Sequence, residues 1–160
     1  MINKLLSIIF SYDIKNKKNY ITHNYFFFKF YFFANAETIE EIIKGRKALF
    51  SKNYSIAKRV QALSSKGEFE KAKKLMLEMS ENYKILINYF PDNTKEGFKT
   101  EALPIIWDNK DEFNNLMDKS SKNMIELVSM IETSENVREI LTKQMWSNCK
   151  ACHSKFRAPH

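Results

Sequence analysis

The chain has 160 residues, 44% of them hydrophobic, and a formal charge of +7, enough for one domain with an apolar core of its own. Three glycines and three prolines are too few for the turns of a many-stranded fold, so a few long helices are expected. Residues 1–36 carry most of the excess charge, and the rest interleaves acidic and basic side chains without a basic stripe, which sets nucleic-acid binding aside.

Residues 1–36 also hold half of the aromatic side chains. Lys15, Lys17 and Lys18 precede the run YFFFKFYFFANA. A basic segment, an apolar segment and a small-x-small site at Ala34-Asn35-Ala36 read as an export leader, cleaved to leave Glu37 first. Lys29 interrupts the run, and residues 1–14 are surplus to such a leader; a start codon assigned too early accounts for them. An anchor is disfavoured, because the apolar run is roughly half the length that spans a bilayer. The competing reading is an ordinary N-terminal strand or helix.

From residue 37 the spacing predicts four helices. The first covers about 37–65, with Ile39, Ile42, Ile43, Leu49, Phe50, Ile56, Val60 and Leu63 in helical register and Gly67 as the stop. The second covers about 69–90, with Ala72, Leu75, Met76, Met79, Tyr83, Leu86 and Ile87 on one side, and Pro91 ends it. A longer connection holds Gly97 and Pro104. The third covers about 109–131, using Phe113, Leu116, Met117, Met124, Leu127, Val128 and Ile131. The fourth covers about 136–157 and opens on Asn136 with Glu139 three residues on, the pattern of a capping box. Four amphipathic helices predict an all-α, antiparallel four-helix bundle over 37–160.

The last helix carries CKACH, with the only two cysteines of the chain, Cys149 and Cys152, and His153 directly after them. Covalent haem attachment needs two thiols to add across two vinyl groups and an imidazole beneath the iron. On a helix, positions i, i+3 and i+4 share a face, so the three side chains reach one porphyrin together. A thioredoxin-like dithiol needs a βαβ setting that the pattern lacks. A structural zinc site needs four ligands, and His23 and His160 are the only other histidines. One covalent haem c per chain is expected, with His153 as the iron ligand. Haem is attached outside the cytoplasm, which agrees with a leader, and an exported protein gains by having no third thiol to mispair.

A four-helix bundle with CxxCH near its end resembles cytochrome c′, the class II c-type cytochromes. GRKALF in the first helix is similar to the family's Arg-x-x-x-(Leu/Met/Phe) element. FKTEALPIIWDNKDEF is similar to its Thr-x-Ala-x-Pro-x-Ile-Trp segment with a following Phe, and CKACHSKFR to its haem site with an arginine four residues on. The resemblance covers Glu37 to Arg157. It implies thioethers at Cys149 and Cys152, a proximal His153 with Arg157 beside it, and Arg46 and Lys47 touching the haem and its propionates. It places Thr100 and Glu101 in the segment over the haem edge. Trp107, Phe113 and Met117 would line the pocket or simply pack in the core.

In that family the position of Phe50 lies over the open side of the iron. Phenylalanine has no lone pair, so the resemblance implies five-coordinate, high-spin iron and an apolar, crowded pocket. Such a pocket admits NO, and CO on the ferrous form, and disfavours O₂. The methionines Met76, Met79, Met117, Met124, Met130 and Met145 are rival ligands or, at helical spacing, core filler. The implied function is a periplasmic NO-binding protein in nitrosative-stress resistance, a ligand trap rather than an enzyme. The alternative is a periplasmic electron carrier with a redox partner protein. Family members pair as homodimers through the first two helices, where Tyr54 would contribute, and no membrane insertion is expected after the leader is removed.

Overall fold

In the computed structural model, which describes residues 37–159, Thr38 starts the first helix. The leader expected over 1–36 lies outside the described residues. Helix α1 runs Ile39–Ser64. Thr38 Oγ1 accepts from the Glu41 amide at 3.2 Å, and the Glu41 carboxylate accepts from the Thr38 amide at 2.8 Å. This reciprocal box satisfies two of the helix's orphan N–H groups. At the other end Gly67 takes φ +73°, and the Gly67 and Glu68 amides return to Ser64 and Leu63 carbonyls. Only a residue without Cβ adopts that turn cheaply, so the stop read from the sequence is the stop observed.

Helix α2 runs Phe69–Leu86, followed by a tight 3₁₀ turn, Ile87–Tyr89. It ends short of the expected Phe90. Pro91 crowds the preceding residue out of the helical region, and Phe90 sits at φ −128°, ψ 53°. The connection contains a second 3₁₀ turn, Asp92–Thr94, and an unanticipated short helix α3, Ile105–Asp108. Helix α4 runs Lys110–Met130. The fourth bundle helix is α5, Val137–Leu141, a π-helical turn, Thr142–Trp146, and α6, Ser147–Phe156, in continuous succession. Asn136 Oδ1 caps the Glu139 amide at 3.1 Å, while Glu139 returns to the Asn136 side chain rather than to its backbone.

These four rods form an all-α bundle, with α2 packed against α1 and α4. Met76, Met79, Met117, Met124 and Met145 are all buried in its core. Unbranched thioethers fill irregular gaps between helices, which accounts for their number. Ile39, expected in the stripe, lies 37% exposed at the start of α1 instead. Two buried polar contacts cross between helices, Ser80 with Ser121 at 2.8 Å and Asn82 with Asn53 at 2.8 Å, and a part-buried one joins Asn123 to the Gln144 carbonyl at 3.2 Å. Each has to be satisfied in one register only, so together they oppose sliding of the rods. No helix among the described residues is long and apolar enough to cross a membrane.

Gly45 sits mid-helix, where alanine would ordinarily be favoured by about 1 kcal/mol. A Cβ there would stand 2.5 Å from the Tyr89 ring. The missing side chain lets the 3₁₀ turn close onto α1, and overpacking costs about 1–3 kcal/mol. Gly45→Ala is therefore expected to lower stability by about 1 kcal/mol in urea unfolding, against its helix propensity. A gain in stability would show that Tyr89 swings clear at no cost.

Candidate functional site

Between α1, the connection, α4 and α6 lies a cavity of about 720 Å³. Arg46, Lys47, Phe50, Thr100, Glu101, Phe113, Met117, Cys149, Cys152, His153 and Arg157 all line it. Residues more than a hundred positions apart thus meet around one space. Trp107, the remaining residue expected there, is not in the wall. Its indole N–H donates to the carbonyls of Phe90 and Pro91, both at 3.1 Å, and its ring packs 6.0 Å from that of Phe90. It fixes the turn behind the wall, which is the core role that its apolar ring left open.

Cys149, Cys152 and His153 occupy one face of α6. Both thiols are partly buried. Burial raises the Cys149 thiol and pushes Cys152 up to about 11, with the neighbouring Cys149 adding to the shift. Both are therefore S–H groups at neutral pH. Tyr83 stands beside Cys149; burial, then the thiols, raise its phenol, which stays a neutral donor. His153 is exposed on its outer side, and its Nδ1 lies 3.4 Å from Arg157 Nη1. A guanidinium only donates, so that contact uses a lone pair on Nδ1. Arg157 Nε donates to Glu101 at 3.1 Å. The backbone closes the same seam: Leu103 N donates to Phe156 O at 3.0 Å and Ala158 N to Glu101 O at 2.8 Å. Thr100 and Glu101 are thereby held over the cavity edge.

Arg46 is 2% exposed. It donates to Thr94 Oγ1 at 2.9 Å, Thr94 O at 3.0 Å, Thr100 Oγ1 at 2.5 Å and Tyr89 O at 3.3 Å. Its guanidinium also stacks 4.8 Å over the Phe90 ring. Every one of these acceptors is neutral. Burial lowers the Arg46 pKa to about 10, so it remains a cation at neutral pH. Lys47, next to it, donates to Lys99 O at 3.1 Å.

The sequence profile described as cytochrome c′ matches residues 41–157. The chain belongs to the cytochrome c′ family. A cytochrome c′ of Rhodopseudomonas palustris is 30% identical over 129 residues, covering 79% of this chain and 86% of that protein. A solved cytochrome c′ from the same organism superposes with TM-score 0.67 at 29% identity, over 77% of this chain and 98% of that one. A variant from Alcaligenes xylosoxidans, solved as its nitric oxide complex, shares the fold with TM-score 0.64 at 19% identity, over 78% of this chain and 99% of that one.

Cytochrome c′ proteins are haem proteins, and the residues present fit that cofactor. The cavity volume falls in the range of cofactor pockets. Two thiols and an imidazole share one wall. A buried cation whose hydrogen bonds all end on neutral oxygens suits a group that brings carboxylates.

The wall also holds residues that the sequence reading left out. Phe90, Ile106 and Phe156 extend its apolar part, but Asn53, Tyr83, Ser120 and Asn148 make it more polar than the crowded apolar pocket expected from Phe50. Asn53 carried a usable signal, since it lies three residues after Phe50 and seven after Arg46 on one helical face. Met117 is the only described methionine in the wall. Arg46→Leu, which removes the cation and keeps bulk, is expected to cost about 2–4 kcal/mol in urea unfolding. Lys47→Ala, at an exposed side chain, is expected to stay within about 0.5 kcal/mol. Equal effects would mean that Arg46 does not hold the connection.

Proposed function

We propose that this chain is a c-type haem protein that binds nitric oxide, and CO when ferrous, at an iron with one open axial position. It would buffer NO in the periplasm and would not act as an enzyme. The observation that supports this best is Phe50 in the same cavity wall as His153, a side chain with no lone pair to offer a metal. Bound here, haem supplies a Lewis-acidic iron that takes a diatomic ligand. The chain's own part is fixed by chemistry. Cys149 and Cys152 would hold the haem covalently, each S–H adding across a vinyl group, sulfur to one carbon and hydrogen to the other, with no oxidant consumed. His153 offers a ring nitrogen, and Arg46 offers a buried positive charge to a carboxylate. Phe50, Phe90 and Phe113 line the space with apolar rings, successive centroids 6.4 Å and 4.6 Å apart. The fold that the variant of Alcaligenes xylosoxidans uses to take nitric oxide is the fold of this chain.

An electron-carrier reading draws on Met117, whose thioether lies in the same wall and could supply a sixth ligand. The optical spectrum of the ferrous protein separates the two. A broad high-spin Soret band that moves on adding NO is expected. Sharp low-spin bands unmoved by NO would make the protein an electron carrier. In the same assay Phe50→Met should shift the ferrous spectrum toward six-coordinate low spin, and no change would mean that residue 50 does not face the iron. Cys149→Ala should weaken covalent haem retention under denaturing conditions; full retention would remove Cys149 from the attachment site.

Pairing of two copies through α1 and α2 belongs to the same reading. Tyr54, Leu77 and Ile85 are exposed there, at 59%, 44% and 45%. The leader pattern of residues 1–36 supports export to the periplasm.

A further inference from the structure

We propose that Asn53 donates a hydrogen bond to a diatomic ligand in the cavity and so sets which such ligand the site prefers. This rests on the haem reading above and extends it to a further residue of the wall. Asn53 is 3% exposed and lines the cavity on the α1 face that carries Arg46 and Phe50. Asn82 Nδ2 donates to its Oδ1 at 2.8 Å. That contact occupies the acceptor end of the amide and fixes which way the group faces. The other end, Nδ2, is buried with no partner at hydrogen-bond geometry, although the amide acts on the Tyr83 phenol beside it and opposes part of that phenol's upward shift. Tyr83, also in the wall, is its polar neighbour.

An unpaired buried amide is costly, and native proteins rarely carry one without a use. An apolar residue of similar size would avoid the cost, as would an amide facing solvent. Asn53 does neither. Its acceptor is held by a second buried amide, and its donor is left at the cavity wall. The chemistry that satisfies it is a small group whose outer atom accepts a hydrogen bond. Phe50, one helical turn earlier, places an apolar ring beside it in the same wall. Phe50 keeps the iron open, and Asn53 grades what enters: a ligand that gathers charge on its outer atom gains, and CO gains least.

The test uses the haem-loaded whole chain and CO as a probe. A donor near the outer oxygen draws electron density into the bond and lowers the C–O stretch. Asn53→Leu is expected to raise that stretch in the infrared spectrum of the ferrous CO complex. NO should leave the variant about two- to ten-fold faster than the parent. Asn53→Asp is the companion variant. Read at a pH where its carboxyl is ionised, it keeps the shape and the acceptor for Asn82 but loses the donor, so the stretch should rise here too, even where the leucine variant fails to fold. A stretch unmoved in both variants overturns the proposal and makes Asn53 a register pair for Asn82 alone. A stretch that falls in Asn53→Leu also overturns it, because the oxygen of the amide would then face the ligand. A parent protein without haem, or with a low-spin six-coordinate spectrum, overturns the haem reading itself. That failure is visible before any CO is added, so the two are distinguishable.

Discussion

The buried guanidinium of Arg46 is the constraint on which the cavity depends. A cation among neutral oxygens is tolerated only if the geometry is good, and here each acceptor belongs to the segment between the second and third long helices. That segment would otherwise be a loose surface loop. Held by Arg46 from inside and by Lys47 from outside, it tolerates three successive left-handed residues, Gly97, Phe98 and Lys99. Two of these are not glycine and carry strain of about 1–3 kcal/mol each, which persists only where surrounding contacts over-determine the backbone. The same bonds place Thr100 and Glu101 against the last helix.

A chain of aromatic rings completes the frame. Phe50, Phe90, Phe113 and Phe156 meet edge to face in succession, linking α1, the connection, α4 and α6. Four segments distant in sequence are thus locked by one apolar run. The thiols and the imidazole of α6 look across the space that this run bounds. Asn53, Tyr83, Ser120 and Asn148 add polar groups to the wall from α1, α2, α4 and α6, and Thr100 and Glu101 add them from the connection. The result is a pocket whose wall combines aromatic rings with hydrogen-bonding side chains. In the proposed reading Phe50 leaves the iron open and Asn53 grades what enters; the two residues sit one turn apart on the same helix.

Much of this was legible in the sequence, and the legible part was local. CKACH states its chemistry because two thiols and an imidazole at i, i+3 and i+4 share a helical face whatever the surroundings. Gly67 marked its turn because the left-handed region nearly requires glycine. Apolar period alone set out four rods, and Arg46, Phe50 and the 100–113 segment were readable as motifs. The hidden part depended on how the rods are rotated against one another. The π-helical turn at Thr142–Trp146 inserts about one residue, which rotates the remainder of the helix, including its thiols, by about 100° around the axis. No spacing rule announces that turn. Trp107 and Phe113 are equivalent in sequence, both large rings near a pocket, yet Phe113 lines the wall and Trp107 props up the turn behind it.

By itself, then, the sequence determined the fold class, the placing of two thiols and an imidazole on one helical face and most of the residues that surround them. Those follow from backbone periodicity and from the valence of individual side chains. Only the tertiary structure decided that Arg46 directs its donors to neutral oxygens, that Asn82 occupies one end of Asn53, and that the other end is left at the cavity. Hydrogen bonds are directional and short, so a shift of one residue in the register of α1 against α2 would erase that arrangement while leaving every apolar stripe intact.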